Sequence, residues 1–197
     1  SGQGVLYSEA SDVLVEVAEF LQAPVMTTLS GKSGFPENHP LSVGSGGTST
    51  TGGVHKFLTR ADLVFGIGCS LTRTNFATPI PAGKVIIHAT NDHDDINKDM
   101  KTQHPLVGDA KLVLNQLLEE MKKQAGSQGR PVDQALHDEI KETKQQWLDQ
   151  WMPKLTSDEE PLSPYRVIWD LMHTVDRDKT IITHDAGSPR DQLSPFW

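Results

Sequence analysis

The sequence lacks the features that mark secreted, membrane and disulfide-stabilised proteins. Its 197 residues include one cysteine, Cys69, which excludes an intramolecular disulfide and any multi-cysteine metal site. No apolar run approaches the length of a membrane span, and the first residues form neither the basic nor the hydrophobic segment of a secretion signal. We therefore expect a cytoplasmic protein without a membrane partner.

Positive charge is also scarce. Lys and Arg together number 18 against 26 Asp and Glu, which gives a formal net charge of −8. Because an acidic surface repels a phosphate backbone, nucleic acid is not an expected partner. Hydrophobic residues make up 36% of the chain, which suits one domain with a core and additional polar helices or loops.

The first half of the chain alternates helical and strand patterns. Apolar residues at helical spacing run from Val13 to Leu21, with Ser8 or Ser11 as the predicted N-cap. The predicted strands are residues 25–28, 63–68, 84–89 and 105–107; the predicted helices are 54–60 and 110–124, the latter capped by Asp109; and residues 29–53 are predicted to be a loop. Continuous apolar strands between helices indicate a parallel sheet covered on both faces. The sequence thus predicts a doubly wound, Rossmann-like α/β fold.

The pattern changes near residue 125. Residues 126–131 have linker composition, and a polar helix over 132–151 follows, with Trp147 and Trp151 on one face as a candidate docking stripe. After an acidic connector, Ser163 and Pro164 begin another helix, and residues 180–183 are predicted to be a strand. We interpret the chain as a central nucleotide-fold domain (1–125), a helical linker (126–162) and the truncated start of a second domain (163–197). One helix and one strand cannot bury a core, so the C-terminus is interpreted as a cut edge.

Three glycine-rich segments suggest phosphate binding. Gly31-Lys32-Ser33 ends like a P-loop, but that motif requires glycine where Met26 stands. Gly66-Ile67-Gly68 begins like a dinucleotide fingerprint, but Leu71 occupies the position of its third glycine. Residues 44–47 remain a candidate anion-holding nest of backbone N–H groups.

The histidines could be metal ligands and the cysteine could be reactive, or these residues could have structural roles. His88, Asp92 and His93 have the types of metal ligands but lack a second helical pair, so hydrogen-bonded or surface histidines are favoured. Cys69 lies at the end of a strand, where a helix N-terminus would lower the thiol pKa. With no evident base beside it, a small buried residue is the favoured role.

Ordered motifs connect these segments to a known family. They are Pro24-Val25-Met26-Thr27-Thr28, Ala61-Asp62-Leu63-Val64 with Gly66-Ile67-Gly68, Val85-Ile86-Ile87-His88, and Pro105-Leu106-Val107-Gly108-Asp109-Ala110. In this order they resemble the central domain of thiamine diphosphate-dependent enzymes of the acetolactate synthase and 2-oxoacid decarboxylase type. Residues 162–187 resemble the opening of the family's diphosphate-binding domain.

The resemblance implies a parent enzyme, a lyase or transferase, that uses thiamine diphosphate and Mg²⁺ on a 2-oxoacid substrate. It also implies a homodimer or homotetramer. The family's activating glutamate belongs to a domain before this region, and its Gly-Asp-Gly metal motif does not occur in these 197 residues. We therefore predict no catalytic or metal-binding residue here and an inactive scaffold when the chain is isolated. The alternative is a stand-alone nucleotide-binding or interaction module of the same fold, holding FAD, ADP or NAD.

Some family members hold FAD or ADP in this domain. By resemblance, the cofactor-binding positions are Thr28, Gly47, Gly68, Gly108, Asp109 and Ala110. Flavoprotein relatives commonly have arginine two residues after the glycine at 68, where this chain has Ser70, and Arg73 is out of register. Thr90 likewise replaces a frequent acidic residue. The alternative is a scaffold that has lost its nucleotide.

The resemblance further implies that the domain's first strand, which precedes the Gly2-Gln3-Gly4 turn, is missing from the chain. In a doubly wound sheet that strand is central, and its loss leaves unpaired backbone groups on both neighbours. We expect another segment to fill the gap, with the strand predicted at 180–183 as the candidate, from the same chain or from a neighbouring copy.

Overall fold

The computed structural model describes all residues, 1–197. Its helices are α1 (Gln3–Tyr7), α2 (Ser11–Leu21), α3 (Gly52–Arg60), α4 (Ala110–Ala125), α5 (Gln134–Leu155), α6 (Pro164–Thr174) and α7 (Ser188–Leu193). Its strands are β1 (Val25–Thr28), β2 (Ser42–Gly46), β3 (Leu63–Ile67), β4 (Val85–Thr90) and β5 (His104–Val107). Every strand pair is parallel, and helices flank the strands. The predicted doubly wound α/β fold is confirmed.

The strands form two sheets, β1-β2 and β3-β4-β5, joined only by the first residues of the chain. The Ser1 amino group donates to the Met26 carbonyl at 2.7 Å, and the Thr28 N–H donates to the Ser1 carbonyl at 2.8 Å. On the other side, the Gly2 N–H donates to the Ile67 carbonyl at 2.9 Å. Ser1 and Gly2 therefore occupy one end of the space between β1 and β3, which we call the slot.

One hydrophobic core holds the helices against the sheets. The predicted apolar stripe of α2 is buried, including Val13 and Val17, and it packs near Leu114 and Leu118 of α4. Ile140 of α5 belongs to the same cluster at 2% exposure, so the linker helix packs on the domain. None of the helices is long and apolar enough to cross a membrane.

Several local predictions were wrong. The 29–53 segment predicted as loop contains β2, so residues 44–46 lie in a buried strand and not in an anion nest. α1 was not predicted, and neither serine caps α2, because Ala10 holds the N-cap position and the Ser8 hydroxyl donates to the Gly4 carbonyl. The Asp109 cap is confirmed, since its carboxylate accepts from the N–H groups of residues 111 and 112.

The strand predicted at residues 180–183 was also wrong. The segment is irregular, and the Ile181 side chain is 94% exposed. It therefore does not fill the slot within its own chain. Its composition favours a strand, but a strand requires a neighbour whose N–H and C=O groups can pair with it, and none lies beside this segment.

Candidate functional site

A groove of about 1100 Å³ opens over the carboxyl ends of the parallel strands. Five of the six predicted cofactor-binding positions line it: Thr28, Gly68, Gly108, Asp109 and Ala110. They meet there because each follows or ends a strand of the two sheets, which is where doubly wound folds bind ligands. Gly47 is not part of the lining; it lies beside Leu29 and Phe76, and its neighbour Gly46 takes the lining position.

The floor of the groove is a close backbone contact among glycines. The Gly4 N–H donates to the Gly68 carbonyl at 2.8 Å. A Cβ on Gly2 would meet that carbonyl oxygen at 2.3 Å, and a Cβ on Gly68 would meet the Val5 nitrogen at 2.7 Å. These glycines are therefore required for packing the first turn of the chain against the end of β3. Gly68 also has a φ of +60°, a conformation that favours glycine.

The N-terminus of α4 faces the groove with its N–H groups partly used. Asp109 accepts from the N–H groups of Lys111 and Leu112 at 3.0 and 3.1 Å, and the Gly108 N–H donates to the Thr90 carbonyl. The positive end of the helix dipole still favours an anion nearby. The Asp109 carboxylate itself opposes one, so this helix end alone does not make a strong phosphate site.

The segment after β3 supplies a polar wall that the sequence patterns did not reveal. Ser70, Thr72 and Thr74 bring hydroxyl groups to the groove, and Arg73 is its only lysine or arginine. The Arg73 backbone N–H donates to the Asp99 carboxylate at 2.8 Å, whereas its guanidinium group forms no salt bridge. Arg73 thus reaches the groove although it is out of register with the family's arginine.

The C-terminal segment lies against the rim. The Arg190 guanidinium sits 4.9 Å from the centre of the Phe76 ring and is paired with Asp191. The Ser45 hydroxyl donates to the Ser194 carbonyl at 3.2 Å, which ties the segment to β2. Residues 188–197 therefore pack on the domain next to the groove.

The histidine and cysteine candidates have structural surroundings. His88 is 1% exposed, and its Nε2 lies 2.7 Å from the Cys69 carbonyl, an acceptor, so this nitrogen carries the proton. His93 is exposed and turned to Asp94, and the structure contains no group of three His, Cys, Asp or Glu side chains placed for a metal ion. Burial raises the pKa of the Cys69 thiol, against the lowering effect of the nearby Ser1 amine, which disfavours a thiolate.

This arrangement of parallel strands with a groove at their carboxyl ends defines a nucleotide-fold domain. Residues 1–117 match the family model described as "Thiamine pyrophosphate enzyme, central domain". The chain belongs to this family, and the recognition made from its motifs is confirmed.

Individual proteins of this family show more specific similarities to the chain. The chain is 33% identical over 212 residues to "Probable acetolactate synthase large subunit" of Methanocaldococcus jannaschii, covering 100% of this chain and 33% of that protein. It is 30% identical over 193 residues to acetolactate synthase isozyme 3 large subunit of Escherichia coli, covering 94% of this chain and 32% of the relative. A third relative, 3D-(3,5/4)-trihydroxycyclohexane-1,2-dione hydrolase of Clostridium perfringens, is 29% identical over 157 residues, 79% of this chain and 24% of that protein. The chain therefore spans about a third or less of the length of these relatives.

Proposed function

We propose that this chain is the central scaffold of a thiamine diphosphate- and Mg²⁺-dependent enzyme of the acetolactate synthase type. The enzyme would decarboxylate a 2-oxoacid or join its acyl unit to an acceptor. The observation that carries the proposal is similarity to acetolactate synthase large subunits along the whole chain. The alternative of a stand-alone nucleotide-binding module is not favoured, because the relatives continue well beyond the region matched here.

The residues of this chain do not fit the thiamine diphosphate site itself. Mg²⁺ bridging a diphosphate needs carboxylate, amide or carbonyl oxygens converging on one point, and no such acidic group forms here. The acidic residues in the groove are Asp95 and Asp109, and the latter is already used as a helix cap. We therefore assign no catalytic step to this chain, whose role would be to hold neighbouring domains in place.

We propose the domain limits predicted from the sequence. Residues 1–125 would form the central domain, 126–162 the linker and 163–197 the start of the diphosphate-binding domain. The end of α4 at Ala125 and the φ of +86° at Gly126 support the first boundary. The packing of Ile140 supports a linker that is docked on the central domain and does not swing freely.

We also propose that the groove binds an adenine nucleotide, FAD or ADP, through Thr28, Gly68, Gly108, Asp109 and Ala110, with Gly47 just outside. Three observations fit the residues to such a group. The volume exceeds that of most small-molecule sites, the hydroxyl-rich wall suits a ribose, and Arg73 offers an unpaired guanidinium to a diphosphate. The single cation implies modest affinity.

The oligomeric state and the cellular location of the parent protein are also proposed. Two relatives are named large subunits, which supports an oligomeric parent, and we propose a homodimer or homotetramer. The single cysteine supports a cytoplasmic setting, since the chain cannot form an internal disulfide. Sedimentation of the parent protein and fractionation of its host cells test these two points.

The activity is tested on the parent protein. We expect 2-oxoacid consumption that disappears when thiamine diphosphate and Mg²⁺ are removed and returns when both are restored. In calorimetry the isolated 1–197 chain should show no saturable micromolar binding of thiamine diphosphate with Mg²⁺. A parent protein that consumes no 2-oxoacid would contradict the proposed reaction, and micromolar binding by the isolated chain would contradict its role as a scaffold.

The nucleotide is tested separately by titrating 1–197 with ADP and by recording the absorbance of the purified protein. Arg73→Ala should weaken ADP binding by about tenfold, the effect expected from losing one charge-assisted contact. Arg177→Ala changes an exposed arginine that does not line the groove; it is the matched control and should bind ADP as the unchanged 1–197 chain does. Equal ADP binding by both variants would show that Arg73 does not contact the nucleotide. If neither the variants nor the unchanged chain bind ADP, the proposed nucleotide site is wrong.

A further inference from the structure

A second cavity, of about 420 Å³, lies at the amino ends of β1 and β2. Gln22, which precedes β1, and Leu41, which directly precedes β2, are part of its wall, whereas the groove lies over the carboxyl ends of these strands. Residues of α2, α4, α5 and the segment 128–132 between α4 and α5 form the rest of the wall. No residue lines both spaces, so this cavity is separate from the groove.

Backbone contacts hold the segment 128–132 against the end of α2. The Arg130 N–H donates to the Phe20 carbonyl at 2.9 Å, and the Asp133 N–H donates to the side-chain oxygen of Gln22 at 3.1 Å. Gly129 has a φ of +67°, and a Cβ there would meet the Phe20 carbonyl oxygen at 2.7 Å, so glycine is required for this close approach. The backbone therefore fixes the place of Arg130 at the cavity.

Arg130 is the charged residue of the cavity whose side chain has no partner. The Glu16 carboxylate lies 3.7 Å from the Lys122 ammonium. The His39 Nδ1 accepts from the backbone N–H two residues later at 3.1 Å, so its Nε2 carries the proton and donates to Glu19 at 3.3 Å. Arg130 forms its hydrogen bond through the backbone alone, and its guanidinium group has neither a salt bridge nor a hydrogen bond. An anion is thus the ligand charge that this wall leaves unmatched.

Apolar side chains and a second histidine complete the wall. Phe20, Leu41 and Leu118 are buried and form an apolar floor. His137 also lines the cavity, and its Nε2 is buried without a hydrogen-bond partner. Because an unpaired buried polar atom is unfavourable, a ring that turned towards a ligand oxygen would gain stability.

We propose that this cavity binds a small organic anion, a carboxylate with an apolar body. The carboxylate would pair with the Arg130 guanidinium through the two parallel hydrogen bonds that arginine favours, while the apolar body covers Phe20 and Leu118. The cavity volume lies within the range of small-molecule sites. A ligand held in this way would connect the segment 128–132 to α2 and α4, and it would stabilise the folded chain by mass action.

The test titrates the 1–197 chain with 3-phenylpropionate and follows its backbone amide signals by NMR. The uncharged compound 3-phenylpropionamide, of nearly equal size, is the matched ligand control. The anion should shift the signals of Leu118, Arg130 and Val132 in a saturable way with a Kd of about 1 mM or below, and the uncharged compound should bind at least about tenfold more weakly. Saturating anion should also raise the thermal midpoint.

Variants assign the contacts. Arg130→Gln retains the backbone N–H to Phe20 but loses the charge, so it should bind the anion about tenfold more weakly. His137→Phe keeps a ring and loses the nitrogen, and about a threefold loss is expected. Glu19→Gln removes a negative charge and leaves an oxygen for His39, so it should bind the anion more tightly. Arg177→Ala, an exposed arginine outside both cavities, is the control and should bind as the unchanged chain does.

Several results would overturn the proposal. One is equal affinity for the anion and the uncharged compound, and another is equal binding by Arg130→Gln and Arg177→Ala. Signals that shift only at groove residues such as Arg73 and Asp109 would place the anion in the groove instead. The absence of any saturable shift at millimolar concentrations would show that the cavity does not bind this class of ligand.

Discussion

At the scale of single residues, the contact between Gly4 and Gly68 holds the first turn of the chain against the end of β3. Both glycines lie in backbone-to-backbone contact, and Gly68 combines a φ of +60° with a neighbour 2.7 Å from where a Cβ would stand. From the sequence alone, Gly66-Ile67-Gly68 resembles the beginning of a phosphate-binding motif. The contact distances show that the glycine at 68 serves packing.

Gly68→Ala should therefore cost about 2–4 kcal/mol in the free energy of unfolding, because backbone strain and overlap with Val5 add together. Gly83→Ala is the matched control: Gly83 has a φ of +86° but nothing within 4 Å of its Cβ position, so only about 1 kcal/mol is expected. Urea unfolding of both variants measures the difference. Equal costs would mean that Gly68 is constrained by conformation alone.

A second residue-scale prediction concerns the amine of a polypeptide that begins at Ser1. Burial lowers the pKa of this amine from its ordinary value of 8.0, while the nearby Cys69 acts in the opposite direction. The unfolded chain then binds more protons between the lowered pKa and 8.0. Stability contributed by this group should thus rise as pH rises through that window and level off above it.

The measurement is urea unfolding from about pH 6 to about pH 8, with an N-acetylated chain as the reference. Acetylation removes the charge and retains an N–H for the Met26 carbonyl, so the acetylated chain should lack this part of the rise. All other groups are the same in both chains, so their contributions cancel in the difference. Parallel pH profiles would show that the amine is solvated.

At the scale of elements, α5 is tied to the domain by a half-buried lysine. Burial lowers the pKa of Lys144, and its ammonium donates to the carbonyls of Glu37 and Ser42 at 2.8 and 3.3 Å. These carbonyls lie just before and at the start of β2. The lysine therefore fastens the linker helix to the loop that precedes this strand.

Lys144→Met should cost about 1–3 kcal/mol, because the methionine fills the space but leaves the two carbonyls without their donor. Lys141→Met, one turn earlier on the exposed face of α5, is the control and should change stability by less than about 0.5 kcal/mol. Thermal unfolding of the two variants distinguishes them. If Lys144→Met is as stable as the control, water replaces the lysine at these carbonyls.

The same scale shows what the sequence could predict. The apolar runs of β3 and β4 and the stripe of α2 were found because their periodicity directly reflects burial. β2 was missed because Ser42–Gly46 has the composition of a loop and becomes a strand only through pairing with β1. The strand predicted at residues 180–183 was wrong for the opposite reason. These residues have strand propensity, but they do not form a strand because no neighbouring strand edge pairs with them.

The candidate site, like the fold, could be predicted from the sequence only in part. Five of the positions that the resemblance implied line the groove, because they lie at or after the ends of parallel strands and these ends come together at one edge. The wall from Ser70 to Thr74 has no periodic pattern and follows a loop, whose path depends on contacts distant in sequence. Arg73 therefore could not be placed before the structure was known.

At the scale of the whole molecule, α5 joins the domain to the C-terminal helices. Its Ile140 lies in the main core, and farther along its Trp147 packs on Gly52 and stacks on Phe196 at 5.0 Å. Trp151 continues this contact to Tyr165 of α6. Removing the C-terminal helices should therefore disturb the domain less than removing α5.

Chains ending at residues 162 and 125 test this order. The 1–162 chain keeps Ile140, Lys144 and the Arg60–Glu139 ion pair, and it should unfold in one transition a few degrees below that of 1–197. The 1–125 chain loses the cover over the core provided by Ile140, a contact worth about 2–5 kcal/mol, so its midpoint should fall by about 10 °C or more below that of 1–162. Calorimetry measures both. Nearly equal midpoints for 1–162 and 1–125 would show that α5 is a connector which only rests on the domain, whereas the predicted drop would place the linker helix within the domain's cooperative unit.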